Sequence, residues 1–199
     1  MTDASDAAPP PLIPVTLLTG FLGAGKTTLL NALLKQPEMA GTAVLVNEFG
    51  EVGLDHLLVE TLDEDTVLLD AGCLCCTVRG DLVAALGKLR ARAPARVLIE
   101  TTGLADPVPI IQTLLGDPFV ATFYRMDGII TVVDAVNGEA ELDSQAEAVR
   151  QAAVADRIVL SKTDLGDARA LRARLARLNP GAPVLEAVRG AVPAASLLD

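Results

Sequence analysis

The sequence predicts an α/β domain in which helices cover both faces of a mostly parallel central sheet. Apolar, β-branched runs of five to seven residues recur along the chain and suit strands buried on both faces. Segments rich in Ala, Leu, Arg and Glu lie between these runs, as expected for crossover helices between parallel strands. After the first run comes a glycine loop of the form G-x-x-x-x-G-K-T. This combination is typical of a P-loop NTPase fold.

The first predicted strand covers residues 13–19, and the glycine loop separates it from a helix over 26–36. The other predicted strands are 42–47, 66–70, 96–100, 128–134, 157–161 and 182–187. The other predicted helices are 79–92, 108–115, 141–154 and 167–178, of which the second has prolines at its start and a glycine at its end. We expect residues 1–12, which are acidic and Pro-rich, to be a disordered leader, and residues 13–199 to form one domain.

Composition excludes several classes of function. Acidic residues outnumber basic ones by 26 to 16, and aromatic residues are only 3% of the chain, so neither phosphate-backbone binding nor base stacking is favoured. Nucleic acid is therefore not an expected partner. No run of eighteen apolar residues occurs, so no membrane partner is expected either. The three cysteines lie within four positions, a poor disulfide framework that fits the reducing cytoplasm.

The glycine loop predicts a nucleotide-binding site. Its glycines would let backbone amides converge on phosphate oxygens, and the helix that follows would present its positive end. Lys26 is expected to reach the β- and γ-phosphates, and the Thr27 hydroxyl to bind Mg²⁺. The predicted nucleotide-binding residues here are Gly20, Phe21, Leu22, Gly23, Ala24, Gly25, Lys26, Thr27 and Thr28.

The segment "SKTD" at residues 161–164 indicates which base is bound. It follows the sixth predicted strand, where P-loop GTPases carry Asn-Lys-x-Asp. Asp164 would accept hydrogen bonds from guanine N1–H and the exocyclic amine, which adenine does not present in the same way. Lys162 completes the motif, whereas Ser161 departs from the usual Asn and weakens the prediction of guanine. The alternative is a solvated turn at the end of a strand.

The segment "ETTGLADP" predicts a sensor of the terminal phosphate. Glu100 ends a central strand beside the glycine loop, where a partner for Mg²⁺-bound water is needed. Gly103 would bring a backbone amide to the γ-phosphate. In the alternative interpretation, Glu100 ends a strand and Gly103 a turn without contacting a ligand.

The cysteine triplet "CLCC" favours a metal site. Thiolates at this density bind Zn²⁺ and similar metals, and three of them leave one tetrahedral position open for transfer or catalysis. Two alternatives stay open, since cysteine is also a small apolar core residue and neighbouring thiols can oxidise reversibly. The predicted ligands are Cys73, Cys75 and Cys76.

Six motifs follow one another along the chain: "TLLTGFLGAGKTTLL", "NEFGEVGLD", "GCLCC", "ETTGLADP", "DGIITVVDA" and "ADRIVLSKTDL". In this order they resemble the CobW family of P-loop GTPases, including its YjiA-like members, from about residue 13 to the end. The resemblance implies a slow GTPase that carries Zn²⁺, or Co²⁺, on the cysteines and transfers it to a metal-requiring client protein. It leaves the physiological metal, the client and homo-oligomer formation undetermined.

The resemblance also assigns the segment "NEFGE", residues 47–51, to the first switch region. Glu48 then joins Lys26 and Glu100 as an expected catalytic residue, as a partner of Mg²⁺-bound water, and Glu51 becomes a candidate ligand of the transition metal. The alternative for both glutamates is that they are solvated charges on a mobile loop. Turnover should be slow because no arginine finger or water-positioning glutamine can be assigned; Arg79 and Arg125 are unsupported candidates.

The chain departs from the family's pattern at three places. Val46 stands where some relatives have an acidic ligand. Family members often carry a His-rich stretch, whereas this chain has one histidine, His56, which is expected at the surface and not as a ligand. The family's smaller C-terminal domain is expected to be absent from these 199 residues. Two other functions are alternatives. A nickel-insertion GTPase is disfavoured because the sequence has no Cys-Pro-His element and no His-rich tail, and a redox-sensing nucleotide-binding module would use the cysteines as a reversible disulfide.

Overall fold

The computed structural model describes residues 11–47, 66–69 and 78–198. In this part of the chain seven strands form one sheet: β1 Ile13–Gly20, β2 Thr42–Asn47, β3 Thr66–Leu69, β4 Arg96–Thr101, β5 Tyr124–Asp134, β6 Arg157–Ser161 and β7 Val184–Ala187. The strand order is β3-β2-β4-β1-β5-β6-β7, and every neighbouring pair is parallel. The carboxyl ends of all seven strands therefore meet at one edge.

The helices of the same part of the chain connect these strands: α1 Lys26–Leu34, α2 Val78–Arg90, α3 Val108–Gly116, α4 Pro118–Phe123, α5 Gly138–Ser144, α6 Ala146–Ala153 and α7 Arg169–Leu178. Short 3₁₀ turns occur at Pro37–Met39 and Ala194–Ser196. No helix among the described residues has the length and apolar character needed to cross a membrane.

The core lies on both faces of the sheet because successive strand residues point to opposite sides. On β1, Leu18 is buried with Leu30 of α1, and Leu17 is buried on the other face with Leu86 of α2. Leu160 of β6 joins a third cluster formed with α5, α6 and α7. Helices thus cover both faces, and the predicted fold class is confirmed.

Three elements differ from the sequence prediction. The helix expected over 141–154 is two helices, α5 and α6, separated by Gln145 in an extended conformation (φ −121°, ψ 112°). The break lets both helices bury apolar residues in one cluster, Leu142 from α5 and Ala148 from α6. Strand β5 begins at Tyr124, earlier than expected. Helix α4 was not predicted, although Asp117 caps it by accepting hydrogen bonds from two backbone amides.

Candidate functional site

The glycine loop joins the end of β1 to the start of α1 and can be built only with glycines at its ends. Gly20 has φ +142°, and a Cβ there would lie 2.3 Å from the Val132 carbonyl oxygen of β5. Gly25, directly before α1, has φ +95°. Both values lie in the region that side chains disfavour. The loop therefore approaches the neighbouring strand closely and directs the helix amides toward the sheet edge, which creates an anion-binding position.

Lys26 and Thr27 open α1 and face different partners. The Lys26 ammonium is buried and donates hydrogen bonds to the carbonyl oxygens of Gly20 at 2.8 Å and Phe21 at 3.1 Å. The Thr27 hydroxyl donates to Glu100 Oε1 at 3.0 Å. Glu100 lies at the end of β4, so the fold brings together two side chains that are 73 positions apart in sequence. These are the residues from which the sequence predicts an Mg²⁺ ligand, Thr27, and a partner of Mg²⁺-bound water, Glu100.

The segment after β4 lies directly against the glycine loop. A Cβ at Gly103 would lie 2.4 Å from the Leu22 amide nitrogen, so only glycine allows this approach. Two residues before Gly103, the hydroxyl of Thr101 at the end of β4 donates a hydrogen bond to the Thr19 hydroxyl of β1 at 2.9 Å. The predicted sensor segment and the predicted phosphate loop are therefore in contact, and a shift in either one must displace the other.

The residues of "SKTD" gather beside the same loop. Ser161, which is buried, donates to the Ala24 carbonyl oxygen at 2.6 Å and so ties the end of β6 to the glycine loop. Asp164 is exposed and lines a pocket of about 330 Å³ that also contains Gly25 and Thr28. The substitution of Ser for Asn thus leaves the connection to the loop in place. The pocket is large enough for a base and has a carboxylate at its edge.

Lys162 is held by an ion pair that the sequence analysis missed. Its ammonium lies 2.6 Å from Asp134 Oδ2, at the buried end of β5. Burial alone would raise the pKa of Asp134, but hydrogen bonds from Lys162, the Val136 amide and Asn137 hold this pKa below its usual range. The carboxylate therefore stays charged and fixes the lysine stem at the pocket. The signal in the sequence was Asp134 itself, an acidic residue that ends the apolar run "TVVD".

A second missed contribution comes from the turn after β7. Arg189 and Gly190 line the same pocket as Asp164, and both have positive φ values, +51° and +78°. A Cβ at Gly190 would lie 2.7 Å from the Thr28 carbonyl oxygen of α1. The "RG" dipeptide after a predicted strand indicated a turn, but nothing in the sequence placed that turn against α1.

The remaining predicted site residues lie outside the described part of the chain: Glu48, Glu51, Cys73, Cys75 and Cys76. His56, which the sequence does not predict to be a ligand, lies outside it as well. Within the ranges that are described, no three His, Cys, Asp or Glu side chains come together as a metal site. The two arginines named as catalytic candidates both form ion pairs with aspartates. Arg79 pairs with Asp117 at 3.4 Å, and Arg125 pairs with Asp127 near the amino end of β5, away from the glycine loop.

Comparison with known proteins identifies one family. A family model described as "CobW/HypB/UreG, nucleotide-binding domain" matches residues 14–186. The chain is 43% identical over 185 residues to the zinc chaperone YjiA of Escherichia coli (strain K12), covering 89% of this chain and 58% of that protein. It is 39% identical over 191 residues to the zinc-regulated GTPase metalloprotein activator 1 of Schizosaccharomyces pombe, covering 89% of this chain and 46% of that protein.

A solved structure supports the same family assignment. The crystal structure of Zn(II)-bound YjiA GTPase from E. coli matches with a TM-score of 0.71 and 38% sequence identity, covering 95% of this chain and 61% of that one. The chain therefore spans roughly half to three-fifths of the length of these relatives.

Proposed function

Because the chain belongs to the CobW/HypB/UreG family of nucleotide-binding domains, we propose that it is a GTP-dependent metallochaperone. In this proposal it binds GTP with Mg²⁺, hydrolyses GTP slowly, and carries Zn²⁺ or Co²⁺ on its cysteines for transfer to a client protein that requires the metal. Two relatives whose names contain "zinc chaperone" and "zinc-regulated GTPase" support the proposal.

The main observation behind the nucleotide part of the proposal is a pocket that is lined by residues of both the glycine loop and the "SKTD" segment. Asp164 lines the same 330 Å³ pocket as Gly25 and Thr28, which belong to the glycine loop and α1. A nucleotide with its phosphates on the loop amides would thus place its base beside a carboxylate. A carboxylate accepts from the N1–H and amine of guanine, whereas adenine has no N1–H to donate. The geometry supports GTP over ATP.

The phosphate side of the site fits Mg²⁺. The Thr27 hydroxyl and the Glu100 carboxylate supply oxygen atoms, the ligands that this ion prefers, and Thr27 Oγ1 and Glu100 Oε1 already lie 3.0 Å apart. When bound, Mg²⁺ would neutralise charge on the β- and γ-phosphates. Lys26 adds a positive charge at the glycine loop, and the Gly103 amide would bind the γ-phosphate. These residues would orient the phosphates and stabilise the charge that develops during hydrolysis.

Turnover without a partner should be slow. Arg79 pairs with Asp117 and Arg125 pairs with Asp127, so the described part of the chain offers no support for either as an arginine finger. The family resemblance also makes Glu48 a candidate partner of Mg²⁺-bound water. Fast turnover by the isolated protein, in the absence of metal and client, would contradict this part of the proposal.

The metal part of the proposal rests on the cysteine triplet. Cys73, Cys75 and Cys76 would supply three thiolates and Glu51 a fourth ligand, a set that suits Zn²⁺ or Co²⁺. The cysteines follow β3 and the switch segment follows β2, two strands whose carboxyl ends lie at the nucleotide edge. If GTP and metal favour the same arrangement of these segments, each must tighten the binding of the other by the same factor.

The deciding experiment measures Zn²⁺ affinity by competition with a chromophoric chelator. It compares the nucleotide-free protein, the GDP form and the form with a non-hydrolysable GTP analogue. We expect the tightest binding in the analogue form and loss of that binding in the Cys75→Ser variant. Zinc affinity that is equal in all three forms would contradict coupling of the two sites. Affinity that survives Cys75→Ser would contradict the assignment of the cysteines.

A further inference from the structure

Gln151 of α6 is a buried glutamine that contacts the sensor segment without belonging to any of the nucleotide motifs. Only 1% of its surface is exposed. Its Nε2 donates two hydrogen bonds, to the carbonyl oxygens of Gly103 and Ala105, both at 3.0 Å. Since both partners are carbonyl oxygens, only the amide nitrogen can face them, and the orientation of the side chain is fixed. One side chain thus holds both ends of the turn that contains Leu104.

The backbone of Gln151 is also anchored to the sheet. Its carbonyl oxygen accepts a hydrogen bond at 2.7 Å from the hydroxyl of Thr131, a buried residue of β5. The neighbouring Arg150 lies 3.7 Å from Asp106 of the sensor segment, but both side chains are largely exposed and their ion pair is weak. The buried amide is therefore the stronger connection between α6 and the sensor segment.

The acceptor end of this side chain has no partner in the described part of the chain. Gln151 Oε1 is buried there and receives no hydrogen bond. A buried polar atom left in this way costs about 1–3 kcal/mol, and an apolar side chain of similar shape would avoid the cost. Packing alone would thus favour methionine or leucine at this position. The two bonds from Nε2 are the interactions that an apolar residue could not supply.

We propose that Gln151 is a positioning residue that holds the Gly103 amide ready for the γ-phosphate and so lets the site distinguish GTP from GDP. This inference rests on the proposed function, because it needs Gly103 to contact the γ-phosphate. Gly103 lies against Leu22 of the phosphate loop, where a Cβ would come within 2.4 Å of the Leu22 amide. Ordering this segment before binding removes part of the entropic cost of the γ-phosphate contact. GDP lacks that phosphate and gains nothing from the ordering.

The test compares the affinities of GDP and of a non-hydrolysable GTP analogue, both with Mg²⁺, in the Gln151→Met variant. Methionine keeps the length and the helix preference of glutamine but cannot donate to the two carbonyl oxygens. We expect analogue affinity to fall by about ten-fold, which is about 1.4 kcal/mol, and GDP affinity to change by less than about two-fold. Gln112→Met is the matched control, because Gln112 is exposed on α3 and the chemical change is identical. It should change neither affinity.

The outcomes separate the two proposals. Equal losses for both nucleotides, or no loss for either, would overturn the role of Gln151. Failure of the unaltered protein to bind guanine nucleotides would instead overturn the proposed function.

A second measurement avoids mutation and therefore does not depend on folding of the variant. Hydrogen–deuterium exchange of the unaltered protein compares the GDP form with the analogue form. We expect the amides of residues 102–106 and of residues 148–152 to gain protection together when the analogue replaces GDP. Protection that increases in 102–106 and stays unchanged in 148–152 would also overturn the proposal.

Discussion

The hydroxyl of Ser161 gives the sharpest test of how the base motif is tied to the phosphate loop. It donates to the Ala24 carbonyl oxygen at 2.6 Å, and both residues are buried. In Ser161→Ala the Ala24 carbonyl oxygen loses the hydroxyl that donates to it, while the strand and its apolar contacts stay in place. The variant therefore removes one interaction between β6 and the glycine loop and adds no new side-chain atom.

The expected size of the effect follows from burial. A neutral hydrogen bond contributes about 1 kcal/mol net, and leaving a buried acceptor without its partner raises the cost to about 1–3 kcal/mol. For a domain of this length each kcal/mol lowers the melting temperature by about 2–4 °C. We expect the melting temperature to fall by about 4 °C. GDP affinity should fall by about three- to ten-fold, because the loop that presents its amides to phosphate loses one fixed point.

Thermal unfolding and calorimetric titration with GDP measure the two effects. Ser144→Ala is the matched control, because the Ser144 hydroxyl donates to the Ala140 carbonyl oxygen at 2.7 Å on an exposed part of α5. It should leave GDP affinity unchanged. Ser161→Thr keeps the hydroxyl and should restore most of the affinity. Unchanged stability and unchanged GDP affinity in Ser161→Ala would show that this hydroxyl does not hold the loop.

Two further predictions concern the base and the alkaline limit of stability. Asp164→Asn should weaken GTP binding and strengthen binding of xanthosine triphosphate, because an amide can donate to the additional carbonyl oxygen of xanthine. Competition titrations with both nucleotides would test this prediction. An unchanged preference for GTP would contradict it. Burial raises the pKa of Tyr124, the only tyrosine, from 10.0 to about 12. Its neutral form therefore stabilises the fold below pH 10, and this contribution is lost as pH rises towards about 12. Denaturant unfolding across this range should show the loss in the unaltered protein and a smaller one in Tyr124→Phe; equal losses would contradict the assignment.

The fold could be predicted from the sequence because local patterns determine most of it. Strands β1, β2, β4 and β6 are continuous apolar runs bounded by polar or glycine residues, and each begins within one residue of its predicted start. The break at Gln145 could not be predicted in this way. Both flanking segments are helical in composition, and only the shared burial of α5 and α6 in one cluster requires an extended residue between them.

The candidate site was predictable where one motif carries its own geometry. The glycine loop fixes its own backbone, so Lys26 and Thr27 could be placed from sequence. Contacts between distant segments could not be placed: Ser161 and Ala24 are separated by 137 positions, and Gln151 and Gly103 by 48. Ser161 differs from the expected Asn, yet its shorter side chain still connects β6 to the glycine loop. A comparison of residue types alone would count this difference as a loss of the motif.

The unit formed by α6 and β6 joins the two ends of the nucleotide site. Gln151 holds the sensor segment at one end of this unit, and Ser161 holds the glycine loop at the other. The turn between them is itself fixed, because Asp156 accepts a hydrogen bond from the Ile129 amide at 2.8 Å and the Ala155 carbonyl oxygen accepts one from Asn179 at 2.8 Å. These contacts tie the turn to β5 and to the end of α7, so α6 and β6 form one support that is fixed to the sheet. Gln151 and Ser161 therefore hold the sensor segment and the glycine loop against the same support, which keeps the two ends of the nucleotide site in a fixed relation.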